Sequence, residues 1–226
     1  MSRYPIKASL FSSHSQIVQI VGQGNGHRLL DVGCADGTLS EQFVDLGWDV
    51  TGIEPFPDDA KVARERGIHV IEMTLEAAID GLGSDFDTIV LADVLEHCAD
   101  PWTLLERLGV HSRPGAVIVI SIPNVAHVTT RLQLLFGRFN YVDRGILDRT
   151  HLRFFTRSTA LELVERAGLQ LTRLTVTPTP VELIFPSLMK SGLGRASLGM
   201  LAKFTQIFPR LLGYQFIAIC KVNNDN

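Results

Sequence analysis

Cysteine is scarce in this chain: Cys34, Cys98 and Cys220 form an odd, scattered set among 226 residues. With no CxxC pair among them, a disulfide framework and a thiolate zinc site are both disfavoured, and a reducing compartment is expected. An excess of charge of one sign is missing as well, since the formal net charge is only -3 at pH 7. Bulk attraction to nucleic acid or to an anionic surface is therefore excluded, and any such contact has to come from a local patch. Long apolar runs are absent, with no window of about 18 uncharged apolar residues to span a bilayer. The amino-terminal MSRYPIKASLFSSHSQ lacks the uninterrupted apolar stretch of a secretory signal. These absences predict a cytoplasmic location and no nucleic-acid partner.

What the chain does have is 46% hydrophobic residues, enough for one substantial core, so a single domain over residues 1–226 is expected. Short apolar runs at residues 28–32, 49–53, 68–72, 86–92 and 116–122 alternate with helical patterns. That rhythm belongs to βαβ units and predicts an α/β fold, a parallel sheet covered by helices on both faces. Asp58 and Asp59 precede a helical pattern that Gly67 ends, Asp100 and Pro101 form an N-cap and first-turn pair, and Thr159 with Glu162 reads as a capping box. LQLTRLTV and the alternating YQFIAICKV read as late strands, the last able to return antiparallel. Two long connections, residues 123–157 and 177–213, are expected to carry helices, a lid or a binding surface.

The run LLDVGCADGT at residues 29–38 is a strand entering a tight turn, with Gly33 and Gly37 where backbone must reverse or approach a ligand. Glu54 closes the next strand, placed to accept hydrogen bonds from two ribose hydroxyls. A nicotinamide dinucleotide is disfavoured, because the spacing is not GxGxxG and the Asp31 carboxylate would repel a diphosphate. The same carboxylate suits a cationic, phosphate-free nucleoside such as S-adenosylmethionine (SAM).

LADVLEHCADP at residues 91–101 then places Asp93, Glu96 and His97 straight after an apolar strand. Asp93 and Glu96 have capping-box spacing, yet Asp100-Pro101 already marks a better helix start. Residues 93–99 are read instead as a loop or single turn at the carboxyl end of the fourth strand, where ligands bind open parallel sheets. Two carboxylates and an imidazole can ligate a divalent cation, with His111, His127 and His151 all open as the fourth ligand.

DVGCADG, the acid of GIEP and FDTIVLADVLEHCADP together resemble the signature of class I SAM-dependent methyltransferases. The resemblance implies a Rossmann-like, seven-stranded, mostly parallel sheet with one antiparallel strand, and a SAM pocket formed by Asp31, Gly33, Cys34, Gly37, Glu54, Thr74 and Asp93. Ala35 stands where the family usually has a third glycine, a change tolerated where that backbone is not left-handed. DVLEH is also similar to the acid-x-x-acid-His motif of ubiquinone-pathway O-methyltransferases and of small-RNA 2'-O-methyltransferases. In the latter a segment like THLRFFTR completes a magnesium site, which implies His151 as the fourth ligand beside Asp93, Glu96 and His97. The same four residues are the expected catalytic group, either around Mg2+ or another divalent ion, or with His97 or His151 as a metal-free general base.

Chemistry then points to oxygen: a hydroxyl scarcely ionised at neutral pH has to lose a proton to become a nucleophile. Amino methylation of DNA bases is disfavoured, since no PPY or PPF follows the fourth strand. GRFNY, GILDRTHLRFFTR and YQF resemble bacterial methyltransferases of surface-polysaccharide biosynthesis, implying a sugar, glycan or glycolipid acceptor. The ubiquinone-like motif implies a prenylated phenol as the alternative, and the glycan is the first expectation. Arg131, Arg138, Arg144, Arg149, Arg153 and Arg157, interleaved with Phe136, Phe139, Tyr141, Phe154 and Phe155, form either an acceptor grip or a solvated cover. In SLGMLAKFTQIF, Leu198, Leu201, Phe204 or Thr205, and Phe208 share one helical face, which reads as a packed lid or as an interfacial helix meeting a membrane or lipid-linked substrate. Lys190, Arg195, Lys203 and Arg210 leave Glu182 as the one acid of that connection. A SAM-binding protein without catalysis and a nicotinamide-dependent oxidoreductase are the other classes of reading.

Overall fold

A computed structural model describes residues 11–181 and 192–222. Its sheet has seven strands: β1 (Arg28–Val32), β2 (Asp49–Ile53), β3 (His69–Ile71), β4 (Phe86–Ala92), β5 (Ser112–Pro123), β6 (Gln170–Thr177) and β7 (Gln215–Lys221). Their order is β3-β2-β1-β4-β5-β7-β6. β1 pairs parallel with β2 and β4, and β4 with β5, while β7 runs antiparallel to both β5 and β6. The expected sheet with one reversed strand is therefore present. Chain direction across the sheet switches between β1 and β4, so the loops after these two strands open a crevice at the carboxyl edge, where such sheets bind ligands.

Alternate residues of each central strand serve opposite layers, because successive strand side chains point to opposite faces. Leu30, Ile89, Leu91, Ile118 and Ile120 join one buried cluster, and Leu29, Val90 and Val119 join the other. On the first side pack α4 (Leu75–Ala78), α5 (Pro101–Val110) and α7 (Arg157–Arg166); on the second, α1 (Ser13–Val21), α2 (Thr38–Asp45) and α3 (Pro57–Glu65). The alternation of YQFIAICKV implies a half-buried strand, yet in β7 Gln215, Phe216, Ile217 and Ala218 are all buried, because helices cover both its faces.

Helix starts follow local chemistry. Asp100 caps α5, accepting from the Thr103 amide with Pro101 behind it, a position where the missing proline N–H costs nothing. α3 begins one residue before its expected acidic cap: Pro57 opens it and Asp58 and Asp59 lie in its first turn. The cap of α7 is Thr156 with Thr159 returning the bond, rather than Thr159 with Glu162. Threonine at the third helical position satisfies the reciprocal bond as glutamate would.

Both long connections carry helices at the carboxyl edge: α6 (Val128–Leu135) in the first, α8 (Gly192–Ile207) and α9 (Pro209–Leu212) in the second. Glu182 and Lys190 lie outside the described residues.

Candidate active site

The loop after β1 is built on left-handed backbone. Gly33, Ala35 and Gly37 have φ of 69°, 49° and 75°, which corrects the expectation that Ala35 avoids that region. Alanine there costs about 1–2 kcal/mol relative to ordinary backbone. Glu54, buried at the end of β2, holds the turn in shape: its two carboxylate oxygens accept from the Ala35 amide and the Phe56 amide, each at 2.9 Å. Burial raises its pKa, those two amides oppose the rise, and Asp59 adds to it. Each oxygen keeps a lone pair for a further donor such as a ribose hydroxyl.

Asp31 lies beneath the turn, buried, and accepts from the Ser40 hydroxyl at 2.6 Å. Burial pushes its pKa up to about 7, Ser40 lowers it, and Glu54 raises it further. A buried carboxylate pair at one sheet edge favours a cation, so the donor set fits SAM and opposes a diphosphate. Through its amide, Cys34 donates to the Ile53 carbonyl at 3.1 Å. Its side chain is buried against Gly52, where an added Cβ would lie 2.5 Å from Sγ, and burial raises its pKa. Thr74 caps α4, its hydroxyl accepting from the Ala77 amide.

Turn and trio share one wall: a Cβ on Gly33 would come within 2.9 Å of Val94. Next to Val94 stands Asp93, also left-handed at φ 59°. Its Oδ1 accepts from the Ser121 hydroxyl at 2.6 Å and the Gln215 amide at 2.5 Å. Leu95–His97 follow as one 3-10 turn.

Fifty-four residues separate His151 from His97, yet the backbone brings them together. The Glu96 carbonyl accepts from the amides of Leu152 and Arg153 at 2.8 and 3.0 Å, and the His97 ring meets the Thr150 carbonyl at 3.2 Å. The His97 and His151 rings stand 4.8 Å apart, edge to face. His151 Nε2 lies 4.0 Å from Glu96 Oε1. One ligand atom from each of Glu96, His97 and His151 falls within 4.8 Å of the others. Asp93, grouped with them in the sequence, stands outside this cluster and faces Ser121 and Gln215.

His151 is oriented from behind. The Ile146 carbonyl accepts from Nδ1 at 3.1 Å, which assigns Nε2 as the free acceptor aimed at the cluster. Burial and the neighbouring His97 lower its pKa, against the Ile146 carbonyl, Asp148 and Asp93. The other two histidines considered for the cluster are elsewhere. His111 ends α5 against the Leu82 carbonyl. His127 caps α6, hydrogen-bonds Thr129 and Thr179, and is pushed down to about 4 by burial.

Phe154 extends the site outward, 6.1 Å from the His151 ring, and stacks edge-on with Phe139 at 5.5 Å; Tyr141 closes the group. The expected arginine grip is partly spent locally: Arg149 pairs with Asp143, Arg131 binds the Ala126 carbonyl, and Arg153 lies over Trp102 while reaching the Ala99 carbonyl. Three contributors escaped the sequence reading: Ser121, Tyr214 and Gln215. Tyr214 hydrogen-bonds the Ile146 backbone from the other side and is raised by burial and by Asp93. The polar pair at the head of YQFIAICKV is the one signal for Tyr214 and Gln215, and Ser121 had none.

This sheet order, with a left-handed turn after β1 held by the acid that follows β2, is that of a class I methyltransferase. Residues 8–174 match the methyltransferase domain family, and the chain belongs to it. A ubiquinone biosynthesis O-methyltransferase of Aeromonas salmonicida is 31% identical over 153 residues, covering 64% of this chain and 63% of that protein. One from Xanthomonas euvesicatoria is 33% identical over 155 residues, covering 65% and 64%. The chain thus spans under two thirds of these relatives' length. Among solved structures, a SAM-dependent methyltransferase from Archaeoglobus fulgidus has the same fold, with a TM-score of 0.65 at 18% identity over 93% of this chain and 95% of that one.

Proposed function

We propose that the chain is an O-methyltransferase that moves a methyl group from SAM to a ring-borne hydroxyl. The observation that carries this is the convergence of Glu96, His97 and His151 beside the loop after β1. When bound, SAM supplies a methyl on a positively charged sulfur, a leaving group that needs no activation. The remaining work falls to the protein: aligning the acceptor and taking its proton. His151 Nε2 is the base, kept neutral by burial and by His97, and Glu96 stabilises the imidazolium formed on proton uptake. Asp31 and Glu54 hold the cationic nucleoside, and Phe154, Phe139 and Tyr141 form the wall against which the acceptor ring lies.

A divalent cation on Glu96, His97 and His151 is a second reading, favoured by the closeness of their ligand atoms. Two imidazoles and one carboxylate suit a borderline ion such as Zn2+ or Mn2+ better than Mg2+. Its contribution there would be to lower the pKa of the acceptor hydroxyl.

A phenolic acceptor is supported by the names of the curated relatives. A sugar or glycan acceptor, the first expectation from the sequence, rests on resemblance of short segments. Both rings have a face that stacks on aromatic side chains. Transfer of labelled methyl from SAM to catechol-type and to saccharide acceptors, assayed in parallel, separates them. His151→Ala should lower turnover by about 10²-fold or more with SAM affinity nearly intact, and unchanged turnover removes His151 from the reaction. Full activity after chelation leaves the general base as the sole route.

A further inference from the structure

We infer that the outward face of α8 and α9 docks on an anionic lipid bilayer. At about 100° per residue, Met200, Phe204 and Ile207 fall within one narrow arc of α8, and all three are exposed, at 61%, 48% and 65%. Past the end of the helix, Phe208 and Leu211 are exposed as well, at 53% and 40%. The opposite face is already used: Leu198 and Thr205 are buried, and Gln206 donates to the Val176 carbonyl of β6. The outward stripe is therefore not needed to attach the helix. Three large apolar side chains in one exposed arc, with two more exposed just beyond it, are what an interfacial helix presents to the boundary between headgroups and acyl chains.

Charge selects the occupant. Residues 192–213 contain Arg195, Lys203 and Arg210 and no aspartate or glutamate, in a chain whose net charge is -3. Lys203 lies on the flank of the stripe, between Met200 and Ile207 in sequence, and both it and Arg210 are exposed. Basic residues flanking an apolar face complement anionic headgroups. A second copy of the chain meeting the same face about a two-fold axis would instead bring like charges together.

Position gives the docking a use. The Asn124 side-chain amide donates to the Gly213 carbonyl at 2.7 Å, tying α9 to the end of β5. Gln215, two residues further on, reaches Asp93. The stripe thus lies at the same sheet edge as the acceptor cleft, so a lipid-linked acceptor would enter from the bilayer surface.

The test is co-sedimentation of the full chain with vesicles of phosphatidylcholine alone and with phosphatidylglycerol added. Binding needs no methyl transfer, so its outcome is independent of the proposed reaction. Binding to the anionic vesicles is expected, weakened by salt, with Phe204→Ser/Ile207→Ser lowering partitioning by at least about tenfold. Lys203→Glu/Arg210→Glu, two exposed changes that spare the core, should abolish the preference for anionic vesicles. Far-UV circular dichroism checks that both variants are folded. Absence of binding to anionic vesicles, or binding that the charge reversal leaves unchanged, overturns the inference. So does a concentration-dependent dimer that Phe204→Ser/Ile207→Ser dissolves.

Discussion

Ala35→Gly and Gly37→Ala make the same chemical exchange in opposite directions, two residues apart in one turn, and should both follow from left-handed backbone. At Ala35, φ is 49°; glycine removes about 1–2 kcal/mol of steric strain and returns about 0.4–1 kcal/mol through a freer unfolded chain. The balance is a gain of about 0.5–1 kcal/mol, or roughly 1–4 °C in Tm for a domain of this size. At Gly37, φ is 75° and an added Cβ would lie 2.9 Å from both the Cα and Cβ of Ala63. Backbone of α3 cannot swing aside as a side chain would, so overpacking adds to the strain and a loss of about 2–4 kcal/mol is expected. Thermal unfolding followed by circular dichroism measures both. A lower Tm for Ala35→Gly, or an unchanged one for Gly37→Ala, would refute the assignment of this turn.

Three further expectations concern the site. Asp31 has its pKa raised by burial from 3.8 to about 7, so the folded state holds a proton there that the unfolded state has released, and stability falls as pH rises between those values and levels off above the upper one. A bound cation favours the carboxylate, so SAM affinity should climb by about tenfold per pH unit up to roughly pH 7 and then level off; calorimetric titration giving equal affinity at both ends of that range contradicts it, and Asp31→Asn should flatten the profile. Tyr214→Phe removes the partner of the Ile146 backbone and should reduce kcat by about tenfold through a loosened His151, with SAM affinity unchanged; an equal effect on both would make Tyr214 merely structural. Gln215→Leu leaves Asp93 with Ser121 alone, burying one polar partner less, and should cost about 1–3 kcal/mol in chemical denaturation.

What could be read from the sequence was what is encoded locally. The parallel strands and the turn after β1 emerge from runs of five to seven residues whose apolar pattern and glycines need no distant partner, and Asp100-Pro101 capped its helix for the same reason. Ala35 misled because a residue's identity does not disclose its φ; the turn geometry set by Glu54 overrides the preference of alanine. At α7 the sequence pointed to Thr159 with Glu162, and the reciprocal bond between Thr156 and Thr159 is visible only once the chain enters from Phe155, itself bridged to Asn124.

The site shows the same division more sharply. Asp93, Glu96 and His97 stood out by adjacency, but adjacency did not reveal which of them act together, because a left-handed residue at Asp93 turns its carboxylate toward β5 and β7 while the following 3-10 turn sends Glu96 and His97 the other way. His151 was reached by resemblance, since spacing alone left three histidines equal; what selects it physically is a pair of backbone bonds into the Glu96 carbonyl. The reversed strand β7 completes the arrangement. Inserted between β5 and β6, it delivers Tyr214 and Gln215 to the carboxyl edge at its beginning, where a parallel strand would have delivered the residues at its end. The one antiparallel strand is therefore what lets the segment just after α9 reach Asp93 and the Ile146 peptide, and through that peptide the ring of His151.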